Sequence, residues 1–294
     1  MENVVITAGD TRVEISPLGA ELQSVSAGGV QKLWSGDKRV WSGRAPILFP
    51  FCGGLKNDGY FYNGARYDMP KHGFARKSLF SVDLVEKSSA VFSLSYSEET
   101  LKIYPFKFTL RVMYKLTENS LGVYYFVINE GDNEMYYNIG AHEAYAIEGN
   151  LNEYTLEFDG GGEEIKRAEL VDGLLGENVY DCGFKGGVLP LSYEIMDEVS
   201  TLPCGHVADG SVIIKNVPFK RCYLVKGGED KIEVYFNDFS HLLLWAVPNG
   251  GFIAIEPWDG LPDLYSTDGN IETKPSVSKL KAGEAKTYYH LIKF

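Results

Sequence analysis

From Phe106 the chain alternates apolar and polar side chains with a period of two. Phe106, Phe108, Leu110, Val112, Tyr114 and Leu116 fall on one face, and Lys107, Thr109, Arg111, Met113 and Lys115 on the other. A T-E-N-S turn follows, after which Leu121, Val123, Tyr125 and Val127 alternate back. Strand side chains point to alternate faces, so this pattern predicts a β-hairpin with one face in the core and one largely wet. Comparable stretches predict strands at 3–7, 11–16, 80–85, 90–96, 153–158, 211–217, 221–226, 231–236, 242–247, 251–256 and 286–293. Segment 96–104 reads as a short helix ended by Pro105, and no helical pattern reaches 12 residues.

No break in composition marks a domain boundary, and no repeat of fixed period is present. The expectation is one large antiparallel β domain over residues 1–294, since all-β domains of roughly 200–250 residues are common. The loop-rich stretch G-E-N-V-Y-D-C-G-F-K-G-G-V-L-P looks like an insertion rather than a linker. D-G-G-G-E-E at 159–164 reads as a glycine-rich turn whose acidic flanks argue against a phosphate cradle.

Composition strengthens the β reading: 19 Tyr, 16 Phe and 32 Gly against 12 Pro suit strands joined by tight turns. A net charge of −12 and no dense Lys/Arg cluster exclude a nucleic-acid partner and disfavour an anionic membrane surface. The longest apolar run, L-L-L-W-A-V at 242–247, is too short to span a bilayer. Cys52, Cys182, Cys204 and Cys222 form no C-x-x-C pair and no metal-ligand spacing, so they read as reduced, packing thiols. The N-terminus has neither a basic n-region nor an apolar h-region, and a cytoplasmic location is expected.

Three segments place ionisable groups beside apolar or glycine-rich sequence. They are P-K-H-G-F-A-R, with Lys71, His72 and Arg76; N-I-G-A-H-E-A-Y, with His142; and F-I-A-I-E-P-W-D-G, with Glu256. A lone histidine near a turn is more often a structural hydrogen-bonder than a catalyst, although histidine is also the commonest general acid or base. His206, His241 and His290 lack comparable context and read as structural. Glu98–Glu99 and Glu163–Glu164 read as solvated charges.

Glu256 carries the strongest physical argument. It follows the apolar run Phe252–Ile255 and precedes Pro257, which is expected to end the ladder there and leave Glu256 at the last paired position. One reading makes it the buried salt-bridge partner of an arginine. The other makes it a partly desolvated carboxylate, basic enough to accept a proton from a hydroxyl. Trp245 and Trp258 offer the flat apolar faces common in sugar sites, or simply core packing.

Taken together and in order, these segments resemble the aldose 1-epimerase (galactose mutarotase-like) family, in its short bacterial branch. The likeness extends through V-E-I-S-P-L-G-A-E-L-Q-S-V, R-A-P-I-L-F-P-F-C-G-G-L-K-N-D-G, Y-N-G-A-R-Y-D-M-P-K-H-G-F-A-R, I-Y-P-F-K-F and H-L-L-L-W. It implies a β-supersandwich with the site in a cleft on a concave sheet. It also implies Glu256 as general base, His142 as general acid, and His72 as a second histidine holding the ring oxygen and C1 hydroxyl. Arg76 matches an arginine that binds sugar or phosphate oxygens, and Asp209 loosely matches a sugar-hydroxyl acceptor. Relatives often carry an arginine where this chain has Gly54; Arg44 is the candidate to reach the same space. Lys71 stands where sugar-phosphate epimerases tend to have glutamine.

The implied reaction interconverts the α and β anomers of a hexose or hexose phosphate by acid–base ring opening, with no metal and no cofactor. Three alternatives stay open. One is a catalytically weak carbohydrate-binding or regulatory protein on the same fold. Another is a metal site of His72, His142 and Glu256, although Ala146 breaks any H-E-x-x-H motif. The third is a retaining glycosidase using Glu256 with Asp259, which needs two carboxylates ≈5–5.5 Å apart. Exposed edge strands allow a monomer or a homodimer.

Overall fold

The hairpin that opens the sequence argument forms as expected, from Phe108–Leu116 and Ser120–Asn129. They pair antiparallel from Leu121↔Leu116 to Asn129↔Phe108. Thr117 closes the turn, its N–H donating to the Ser120 carbonyl at 2.8 Å. In the computed structural model, residues 2–160, 164–193 and 211–294 are described. Among them, seven further strands extend this hairpin into one nine-stranded antiparallel sheet, from Val188–Pro190 at one edge to Ser81–Val85 at the other. The short helix is Glu98–Ile103, capped by reciprocal bonds between Ser97 and Thr100 and followed by Pro105.

A second sheet positions the site. It runs Ile139–Gly140, Phe252–Asp259, His241–Trp245, Ser211–Ile214, Lys166–Val171, Leu174–Asp181, with Glu143–Ala146 also paired to Phe252–Asp259. Ile253, Ile255, Leu242, Leu244, Val212 and Ile214 face inward and join the main core between the two large sheets. Phe252, Ala254, Trp258, Leu243 and Ile213 face the other way and form two smaller apolar clusters. Both faces of Phe252–Asp259 are therefore covered, which is why its sequence is apolar without alternation. The fold is all-β, a β-supersandwich of large antiparallel sheets with few short helices.

Two expectations need correction. The stretch 176–190 holds most of the strand Leu174–Asp181 and all of Val188–Pro190 and so belongs to both large sheets rather than being an insertion. Nor does Pro257 end its ladder: the strand continues to Asp259, with Leu242 opposite Pro257 and His241 opposite Trp258. Proline removes one ladder N–H, and here the break falls between the two short strands paired beside it. Between Ile139–Gly140 and Glu143–Ala146, residues Ala141 and His142 leave the ladder, and the Ala141 N–H donates to the Pro257 carbonyl at 3.0 Å. Pairing resumes in one register on both sides, Gly140↔Trp258 and Glu143↔Ile255, which puts His142 across from Glu256.

Candidate functional site

On the outer face of this second sheet lies a cavity of about 280 Å³. Lys71, His72, Arg76, His142, Trp245, Glu256 and Trp258 all line it, so seven of the nine site residues expected from sequence converge on one space. Glu256 is 0% exposed, and its Oε1 lies 3.4 Å from His142 Nδ1. That separation is longer than an ordinary hydrogen bond.

Each ring of the site is held from behind. Trp41 stacks on His142 at 5.1 Å between centroids, and Trp245 meets the same ring edge-on at 5.8 Å. His72 contacts His142 at 5.8 Å and Trp258 at 5.7 Å, both edge-on. Trp258 donates its indole N–H to the Ala141 carbonyl at 3.2 Å. His72 has φ +69°, a left-handed conformation disfavoured outside glycine. Two bonds to Gly53 lock it there: the His72 N–H donates to the Gly53 carbonyl at 2.9 Å, and the Gly53 N–H donates to His72 Nδ1 at 3.1 Å. With Nδ1 accepting, the proton of neutral His72 resides on Nε2. Gly53 cannot be another residue, because a Cβ there would lie 2.3 Å from Pro262 Cγ.

The electrostatics follow from burial and two cations. Burial holds His142 down to about 3, and the charges of Arg76 and Lys71 add to that against an opposing backbone hydrogen bond. His72 is pushed well below the ordinary histidine range, first by burial and then by His142, Lys71 and Arg76. Both imidazoles are neutral at physiological pH. Arg76 donates from Nη2 to the Lys71 carbonyl at 3.0 Å, while its buried Nε has no hydrogen-bond partner among the described residues.

Two expected residues are not brought here. Arg44 does not line the cavity: its Nη1 donates to Gln23 Oε1 at 3.0 Å, and its guanidinium packs over Gly36. Its backbone carbonyl is what serves the sheet, accepting from the Ala144 N–H at 2.8 Å. Asp209 lies outside the described residues. Asp259 faces away from the cavity, accepting from Ser278 and Tyr288 at 2.6 Å each, so Glu256 gains no second carboxylate from it. Among the described residues no group of three or more His, Cys, Asp or Glu side chains is arranged to hold a metal ion.

Sequence reasoning missed Trp41, Ser211 and Pro262, which also line the cavity. Trp41 sits in the polar loop G-D-K-R-V-W-S-G, where no strand pattern accounts for a tryptophan, and that was the available signal. Ser211 and Pro262 carried none.

The model of the family described as aldose 1-epimerase matches residues 2–172, and this chain belongs to that family. It is similar to the chromosomal protein LacX of Lactococcus lactis subsp. lactis, 32% identical over 282 residues covering 91% of each chain. A galactose mutarotase-like protein from Lactobacillus casei has the same fold, with TM-score 0.90, 31% identity and 99% of each chain covered. A galactose mutarotase related enzyme from Lactobacillus acidophilus superposes with TM-score 0.87 at 28% identity, covering 99% of this chain and 96% of that one. Among the described residues no helix is long and apolar enough to cross a membrane.

Proposed function

We propose that the protein is an aldose 1-epimerase that interconverts the anomers of a hexose or hexose phosphate, with Glu256 and His142 as its acid–base pair. The observation that carries this reading is a fully buried carboxylate 3.4 Å from a neutral imidazole, both opening onto a cavity walled by three tryptophans.

Opening a pyranose to its aldehyde moves one proton, from the C1 hydroxyl to the ring oxygen. Glu256 takes it from the hydroxyl while His142 delivers one to the ring oxygen, and the C1–O5 bond breaks as the carbonyl forms. Proton transfer between Oε1 and Nδ1 restores the pair, so it begins and ends with the same proton count. Rotation about C1–C2 presents the other carbonyl face, and the steps reverse on closure. His72 Nε2–H donates a hydrogen bond to a sugar oxygen, while Trp245 and Trp258 cover the ring. Each positioned proton transfer contributes roughly 10²–10⁴ in rate.

Lys71 and Arg76 against a single Glu256 leave the cavity wall net positive in a chain of charge −12, which supports an anionic substituent on the sugar. Polarimetry or saturation-transfer NMR on fresh α-glucose, α-galactose and their 6-phosphates tests the reading. Anomerisation faster than buffer, and lost in Glu256→Gln, is expected. Tight sugar binding without turnover would make the protein a carbohydrate-binding module instead.

A further inference from the structure

His72 keeps its left-handed backbone and its tautomer through Gly53, so whatever fixes Gly53 also fixes the histidine. Gly53 begins a turn that leads through Gly54 and Leu55 into the short helical turn Lys56–Asp58. Three contacts reach this segment from Pro262 and Asp263, which are distant in sequence. The Pro262 ring packs against Gly53, close enough to leave no room for a Cβ. The Asp263 N–H donates to the Gly54 carbonyl at 3.0 Å. Asp263 Oδ2 accepts from the Lys56 N–H, also at 3.0 Å and across 207 residues.

Asp263 is itself held from two other sides. Its carbonyl accepts from the Leu175 N–H at 2.8 Å, which ties it to the strand Leu174–Asp181 of the second sheet. Its Oδ1 accepts from Lys274 Nζ at 2.7 Å, and both side chains are 3% exposed. With one carboxylate oxygen on each partner, the group cannot turn without breaking a bond. Neither Asp263 nor Lys274 lines the cavity, so neither meets a ligand there.

A neutral imidazole carries its proton on either nitrogen, and the hydrogen bond made at the other decides which. Here that bond is the 3.1 Å contact from the Gly53 N–H to His72 Nδ1. A retreat of the turn by about 0.5 Å would break it. We propose that Asp263 is a positioning residue for His72. Clamped by Lys274 and Leu175, it holds the turn forward through Gly54 and Lys56. The His72 proton then stays on Nε2, the edge that donates to the sugar. The kinetic consequence rests on the cavity being the site of anomerisation; the consequence for the tautomer does not.

The tautomer is read by long-range proton–nitrogen NMR on histidine-labelled protein, with the His72 signals assigned by their loss in His72→Gln. The parent is expected to show the Nε2–H form. Asp263→Leu/Lys274→Met removes the acceptor together with the ion pair, whereas Asp263→Asn/Lys274→Met keeps an oxygen for the Lys56 N–H. Exchanging a buried pair for neutral side chains of similar volume is often neutral for stability, and urea midpoints check both folds. The leucine variant should show a mixture of tautomers and a kcat/KM about tenfold lower. The asparagine variant should match the parent within about twofold. Lys56→Pro deletes the N–H at the first position of a helical turn, after an extended Leu55, where proline is tolerated. It should give the same mixture with the ion pair intact, while Lys56→Ala, which keeps the N–H, should resemble the parent. Three results would overturn the proposal: a parent His72 protonated on Nδ1, an unchanged tautomer in Lys56→Pro or the folded leucine variant, or equal losses in the asparagine and leucine variants. A tautomer response in a protein that anomerises no sugar would keep the role of Asp263 and remove the catalytic reading.

Discussion

Among the described residues two histidine–glutamate pairs are buried, and they part company at one peptide bond. His142 lies 3.4 Å from Glu256 on the cavity side of the second sheet. Glu143, the next residue, points through to the core, where its Oε1 lies 3.1 Å from His290 Nε2. His290 is sealed there, stacked on Tyr125 at 5.7 Å. The charge of Glu143 adds to burial in raising the hydroxyls of Tyr114, Tyr125 and Tyr145. The chemical groups are the same in both pairs. What differs is access: one pair meets a ligand-sized cavity and the other meets only side chains. The two residues are adjacent but turn to opposite faces of the sheet, one to the cavity and one to the core.

If that contrast is right, the two glutamates fail differently. Glu256→Gln should lower anomerisation by about 10²–10⁴ while the melting temperature stays close to that of the parent. Glu143→Ala should do the reverse. Breaking a buried pair typically costs about 3–5 kcal/mol of stability, read as a lower urea midpoint, while the protein that remains folded keeps its kcat. A Glu143 variant with full stability and little activity would erase the distinction between the pairs.

Acid should sharpen it further. His142 is held down to about 3, His241 to about 4 by burial, and His72 well below its ordinary value. Unfolding raises all three to near 6.5, so below that pH the unfolded chain binds protons the native one refuses. Stability is complete above about pH 7 and falls as pH drops from 6.5 towards 4, by up to about 1.4 kcal/mol per pH unit for each histidine. His142→Gln should remove one histidine's share of that slope in urea melts. An unchanged slope would mean the imidazole is charged in the folded cavity. The smallest effect is expected at Trp41: Trp41→Ala removes the ring stacked on His142 and should reduce kcat/KM by roughly tenfold or less.

Much of this was legible from the chain. The alternation after Phe106 foretold the central hairpin, and eleven further predicted strands correspond to strands in the structure within a few residues. Strands such as Leu22–Ala27 and Glu143–Ala146 were missed because their apolar residues are few or mixed with polar ones. At the site, the unalternating run before Glu256 announced a buried carboxylate, and glycine or proline beside His72 and His142 marked them as special. Arg44 was misjudged because a charge beside a glycine-rich segment says nothing of its direction. Gln23, 21 residues away, and Gly36 in the preceding loop settled that.

The sequence by itself determined the strand pattern, the all-β class and the short list of ionisable groups, because period, burial preference and turn chemistry are local properties. Which of two adjacent residues, His142 or Glu143, faces the cavity was decided only in three dimensions. Face depends on register against Phe252–Asp259, and that register depends on contacts more than a hundred residues away. The same holds for Glu256. The chain shows that it is buried, but only the pairing of Gly140 with Trp258 and Glu143 with Ile255 places a histidine opposite it.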